Sequence, residues 1–237
     1  MMGAIRFSHF VWVVLFLMLL FPTYLFSQCE VPAFAKTGKT IQSFVPKGWE
    51  IKDSARSDFN NDQQIDVVLI LSNLIEQDEN NFTYECNRPI VILQKTNTGY
   101  ILAAHTNEGV LCKSCGGIFG DPYAGISFNK NVLNIEHYAG SAWRWIKNFT
   151  FRFQQNQWQL IGCSDASYWS LGECEGNIGD SGYQLQEANF STSKAHIVKT
   201  KDTFCKPYKD VWIAFKKKPF VNIEQFDVDL DYFPIKD

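Results

Sequence analysis

A mainly β fold, an antiparallel meander or sandwich-like sheet in a single domain with few short helices, follows from three observations. The first is the stretch 143–153, where Trp143, Trp145, Phe149, Phe151 and Phe153 fall on one face and Arg144, Asn148, Thr150 and Arg152 on the other. Successive strand side chains point to opposite faces, so a period of two marks a half-buried strand. The second is that apolar runs are separated by short turn signals, notably Asn97-Thr98-Gly99 and Gln154-Gln155-Asn156-Gln157. The third is aromatic content: twenty Phe and seven Trp suit a pleated, half-buried surface. No stretch carries helical periodicity of useful length, and successive strands with short turns argue an antiparallel arrangement.

In chain order, residues 30–57 mix Pro, Gly and charge, with Phe44, Val45 and Trp49 as core candidates and a short strand at Trp49-Glu50-Ile51. Residues 65–71 are apolar on both alternating faces, which predicts a buried central strand. Residues 89–93 read the same way and begin at Pro89, where a strand tolerates proline. With 100–105 they form a hairpin across Asn97-Thr98-Gly99. Residues 132–138 alternate as a half-buried strand, and 158–162 return as the partner of 143–153. Residues 189–198 and 211–215 are weaker strands. Lys216-Lys217-Lys218 reads as a solvated turn, and 227–231 as an exposed edge strand whose charges discourage sheet-to-sheet pairing.

The chain starts with Arg6 followed by an apolar run that Pro22 interrupts. About 20 apolar residues are needed to span a bilayer, so residues 1–28 read as a cleaved secretory signal and 29–237 as one exported domain with no membrane span. Cys29 at the junction raises lipid attachment, but Phe26-Ser27-Gln28 fits a Leu-small-small-Cys signal poorly. Removing Arg6 leaves 22 − 1 = 21 basic against 25 acidic residues. A net charge of −4 excludes an electrostatic case for nucleic acid or anionic membrane.

Seven cysteines are present: Cys29, Cys86, Cys112, Cys115, Cys163, Cys174 and Cys205. An odd number leaves one free, lipidated or paired between chains, and an oxidising compartment would make the rest staples. Cys163 with Cys174, flanking a loop, is the expected pair. Cys112-Lys113-Ser114-Cys115 is followed by Gly116-Gly117 rather than by a helix, so a local disulfide is expected there. A redox pair wants a helix N-terminus, and a zinc knuckle wants a second close pair.

The main candidate site is Asp58-Phe59-Asn60-Asn61-Asp62-Gln63-Gln64-Ile65-Asp66. Side-chain oxygens at Asp58, Asn60, Asp62 and Asp66, with the Gln64 main-chain carbonyl, form an oxygen-only set of the kind calcium takes at about 2.3–2.6 Å. The alternative is a turn whose side chains bond their own backbone. Leu69 occupies loop position twelve, so a helix-loop-helix site is excluded. The nine residues resemble the calcium loops of FG-GAP and VCBS-type repeats, which lie in β-hairpins of propeller proteins. Gln63 departs from that pattern, which has glycine there. With one copy, the propeller does not carry over.

A wider resemblance joins this loop to residues 88–93, 111–123 and Ala142-Trp143-Arg144-Trp145. That order is similar to a family of exported bacterial proteins, mostly called hypothetical proteins or lipoproteins, over about residues 45–165. It implies export and carries no activity.

The expected role is non-catalytic binding in the periplasm or at the cell surface, as an inhibitor, an immunity-type protein or an envelope-associated module. The partner is an envelope protein or a glycan. The Gly-rich stretch 116–125 with Trp143 and Trp145 could line a groove, although turn geometry and core aromatics account for the same residues. The alternative is a secreted hydrolase using His137 with Glu136 or Asp121. No nucleophile elbow, His-Glu-x-x-His or phosphate loop occurs.

Overall fold

The computed structural model describes residues 29, 31–77, 84–129, 131–174, 177–201 and 205–235. The expected leader, 1–28, lies outside these residues. Val31–Asp237 is one compact unit built from two antiparallel sheets.

The first sheet contains β1 (Thr37–Gly38), β2 (Trp49–Ser57), β3 (Asp66–Asn73), β4 (Arg88–Thr96) and β5 (Gly99–Val110), in spatial order β1-β5-β4-β3-β2. All eight residues of β3 are buried, and both faces are covered by different material. Val68 and Ile70 face the second sheet, joining Ile90 and Ile92 of β4. Val67, Leu69 and Leu71 face Phe44 and Trp49 from the N-terminal lead-in. That two-sided cover is why β3 is apolar at both parities. The hairpin of β4 and β5 closes at Thr96↔Gly99, where the sequence placed it. Strand β2 extends well beyond the expected Trp49-Glu50-Ile51.

The second sheet contains β6 (Tyr123–Asn129), β7 (Val132–Gly140), β8 (Trp143–Gln154), β9 (Gln157–Cys174), β10 (Asn177–Asn189), β11 (Lys194–Thr200) and β12 (Pro207–Ala214), in order β12-β11-β10-β9-β8-β7-β6. Phe149 and Phe151 of β8, Leu133 and Ile135 of β7, and Trp158 and Leu160 of β9 meet the first sheet in the main core. Each such aromatic buries about 150–250 Å² and dominates the packing. Phe226 packs edge-on to Phe149 and Phe151, with centroids 4.8 and 5.0 Å apart, so the C-terminal segment completes this core.

Three expectations need correction, and one strand was not expected. The stretch 189–198 is not one strand: β10 ends at Asn189 and β11 starts at Lys194, with Ser193 in the left-handed region between them. Residues 123–129 form β6, for which Gly125 and a weak alternation gave no clear signal. Residues 227–231 are not a strand. Val228 is fully buried and donates its N–H to the Glu108 carbonyl at 2.8 Å, while Asp229 and Asp231 turn outward. Lys216, Lys217 and Lys218 are exposed but lie in irregular chain with no turn assigned.

Candidate functional site

The acidic loop connects β2 to β3, which pair through Ser57↔Asp66. Asp58 accepts the N–H groups of Asp62 (3.0 Å) and Gln63 (2.8 Å), one on each carboxylate oxygen. Asn60 Oδ1 also accepts the Asp62 N–H at 3.1 Å, and Asp62 Oδ1 accepts the Gln64 N–H at 2.8 Å. Asn60 Nδ2 donates to Asp62 Oδ2 at 2.9 Å. To close so tightly the backbone turns left-handed at Asn61 (φ 61) and Gln63 (φ 68). Asn tolerates that region, whereas Gln63 gives up about 1–2 kcal/mol relative to glycine.

Asp66 anchors the loop from beneath. It is fully buried and accepts N–H groups from Lys95 (2.7 Å) and Phe59 (3.3 Å). Burial pushes its carboxyl up to about 6, the two N–H bonds pull it down, and the charges of Asp62 and Asp58 push it up again. Asp62, in contrast, is held below the usual range by the Asn60 amide and the Gln64 N–H.

The donor set is hard oxygen throughout, and an ionised carboxylate oxygen that accepts one N–H keeps another lone pair. Among the described residues no cationic side chain is bonded to Asp58, Asp62 or Asp66, so the negative charge of the loop is uncompensated. Nor is any group of three or more His, Cys, Asp or Glu among them gathered to hold a metal. Calcium at this loop would need Asn60 and main-chain carbonyls as well as the aspartates.

The other candidate residues do not form one acid–base set. Glu136 and His137 are neighbours on β7 and so face opposite ways: Glu136 is exposed and His137 is fully buried. The His137 ring sits edge-on to Tyr123 and Phe149. Its Nε2 accepts the Leu111 N–H at 3.4 Å, and burial pulls its pKa down to about 4. Asp121 is taken up by Arg88, which binds both its oxygens at 2.8 and 3.0 Å, and by Lys52 at 2.9 Å. Arg88 also holds Glu76 through Nε at 2.8 Å. Burial opposes the guanidinium charge, but Asp121 and Glu76 outweigh it and leave Arg88 more basic than usual. Burial likewise raises Asp121, and Arg88 and Lys52 bring it below the usual range. This cluster joins β2, the turn Leu74–Gln77, β4 and the entry to β6, which is the work of a structural clasp.

The cysteines resolve differently from the expected pairing. Cys112 and Cys115 form the local disulfide, and Cys29, Cys86 and Cys205 are each disulfide-bonded. Among the described residues Cys163 is the free cysteine, so it does not bridge to Cys174. It lies opposite Phe149 on β9, and burial pushes its thiol up to about 12. After Cys115 the chain makes a tight turn, Gly117–Phe119, in which Gly116 donates to the Gly120 carbonyl at 2.8 Å. A Cβ on Gly116 would stand 2.2 Å from that oxygen, so turn geometry alone accounts for the glycine.

A groove of about 360 Å³ lies on the second sheet, beside the chain segment from Asp229 to Phe233. Its floor follows three ladder rungs: Phe149↔Cys163, then Lys147↔Asp165↔Gln186, then Ser167↔Gln184. None of these was singled out in the sequence as a site residue. The available signal was Lys147, a charge interrupting the aromatic face of 143–153. Its neighbours on β9 and β10 are set by register, which a single strand's pattern does not contain.

No family model, curated protein or solved structure matches this chain.

Proposed function

We propose that this is an exported periplasmic or cell-surface protein that acts by non-catalytic binding of an envelope partner, with calcium holding the 58–66 loop. The observation that carries the calcium part is the oxygen-only turn in which Asp58, Asn60 and Asp62 lie together, with no cationic side chain among the described residues bonded to them. Disulfides at Cys112–Cys115 and at Cys29, Cys86 and Cys205 support an oxidising compartment. The use of Cys29 in a disulfide argues against lipid attachment there, because one sulfur cannot also carry a thioether. The ion is structural in this reading: it ties β2 to β3 and, through the Asp66–Lys95 bond, to β4.

Thermal unfolding with calcium and with chelator tests it. A loop of this kind at the weak extracellular end binds with Kd of about 0.1–1 mM. At about 10 mM calcium the linkage is then about 1.4–2.7 kcal/mol, or a Tm rise of about 3–10 °C for a chain of this size. Asp62→Ala removes the rise. Superimposable melting curves in the two conditions would sink the calcium reading.

A further inference from the structure

Resting on the reading of this chain as a binding protein, we infer that the groove on β8, β9 and β10 is a saccharide site for a neutral or amine-bearing oligosaccharide. Most of the floor is polar. Among the described residues, the side chains of Lys147, Asp165, Ser167 and Gln186 have no hydrogen-bonded partner, and Lys147 and Asp165, opposite each other on the ladder, act on each other only as charges. Gln184 gives its amide N–H to the Thr200 carbonyl at 3.2 Å and keeps its amide oxygen. An ammonium, a carboxylate, a hydroxyl and two carboxamides therefore lie on adjacent rungs of one sheet face. A sugar hydroxyl is donor and acceptor at once, so a ring bearing several can satisfy such a mixed floor. An apolar peptide side chain would leave these groups desolvated and unpaired.

One wall is aromatic, and further rings lie along the same strands beyond the lining. Tyr232 and Phe233 line the wall beside the C-terminal segment. Outside the lining, Trp145 follows Lys147 on the same face of β8 and packs partly buried against the core, and beyond it Trp143 and Trp169 pair directly across the ladder with ring centroids 5.5 Å apart. Trp143 remains 40% exposed. The electron-rich faces of such rings suit the C–H face of a pyranose. At about 360 Å³ the groove is within the size range of small-ligand clefts.

Charge narrows the sugar. The lining holds the three carboxylates Asp165, Asp229 and Asp231 against the one ammonium of Lys147. A carboxylate-bearing sugar would be repelled, and a neutral or amino sugar would not.

Calorimetric titration of the purified protein decides the matter, with four probes: β-1,4-linked tetramers of glucose, N-acetylglucosamine, glucosamine and galacturonic acid. At least one of the first three is expected to bind and the galacturonate tetramer not to. Asp165→Ala removes a charged hydrogen-bond partner and should weaken binding about tenfold or more. Gln186→Ala should also weaken it, while Glu187→Ala, one residue along and on the other face, should leave it unchanged. Melting curves check that each variant is folded. The inference is overturned if no probe binds, if galacturonate binds as tightly as the others, or if both floor variants, folded, bind like the wild type. Mass analysis of the recovered probe separates the two claims. A shortened sugar supports the site and overturns the non-catalytic reading, whereas absence of binding overturns the site and leaves the binding-protein reading standing.

Discussion

Replacing Arg88 by methionine should be among the most damaging single changes in this protein. Its side chain is fully buried, and so, to within 2%, is that of Glu76. The guanidinium makes a short contact of 2.7 Å to Glu76 and a two-pronged contact to Asp121. Glu76 Oε1 already has no hydrogen-bond partner, so without Arg88 its carboxylate keeps only Ser72 Oγ, at 3.1 Å. Removing one partner of a buried pair costs about 3–5 kcal/mol, mostly through the stranded charge. For a chain of this size that is a Tm drop of about 6–20 °C.

If the stranded charge is the cause, adding Glu76→Gln to Arg88→Met should restore at least about half of the loss, since removing both charges of a buried pair is often near neutral. The assay is urea unfolding with disulfides intact, compared at constant m. A pH arm adds a second check. Arg88 and Lys52 hold the Asp121 carboxyl below its ordinary value of 3.8. That stabilisation is present above pH 3.8 and is lost as pH falls through the folded-state pKa. The gap between wild type and Arg88→Met should therefore narrow in acid. A single-variant loss under about 1 kcal/mol, or a double variant no better than the single, would refute the reasoning.

Further expectations concern His137, Gln63 and Cys163. His137 titrates near 6.5 when unfolded and at about 4 when folded, so its contribution is complete above pH 6.5 and lost as pH falls toward 4. Between pH 7.5 and 5 that is about 2 kcal/mol, and His137→Gln, able to accept the Leu111 N–H, should show a correspondingly flatter profile; parallel profiles would contradict it. Gln63→Gly should raise stability by about 1 kcal/mol by relieving the left-handed backbone, and a lower melting temperature would mean the turn is not strained there. Intact mass after alkylation without reduction should show one adduct, mapped to Cys163 and formed much faster in denaturant than in the native protein. Two adducts would contradict the disulfide assignment.

The strands that the sequence revealed are those whose burial is settled within the strand. Residues 143–153 alternate because one face of β8 meets the core, and 65–71 are apolar throughout because both faces of β3 are covered. The strands it concealed depend on neighbours. Strand β6 carries little alternation of its own and is held by pairing with β7. The far part of β9, beyond 162, is polar and persists because β8 and β10 flank it on both sides. The acidic 227–231 alternates like an edge strand, yet Val228 is drawn into the core and the segment stays irregular.

The sequence by itself determined the mainly β class, the hairpins at Gly99 and Gln155-Asn156, the local Cys112–Cys115 bridge and the acidic turn at 58–66. Each rests on residues close along the chain, where turn chemistry and period-two burial act directly. Only the tertiary structure decided which described cysteine is free, that Asp121 is bonded into the Arg88 clasp, and that Lys147, Asp165 and Gln186 share one rung. Those facts depend on strand register across long separations, and register is chosen by the packing of the whole sheet face instead of by any one segment.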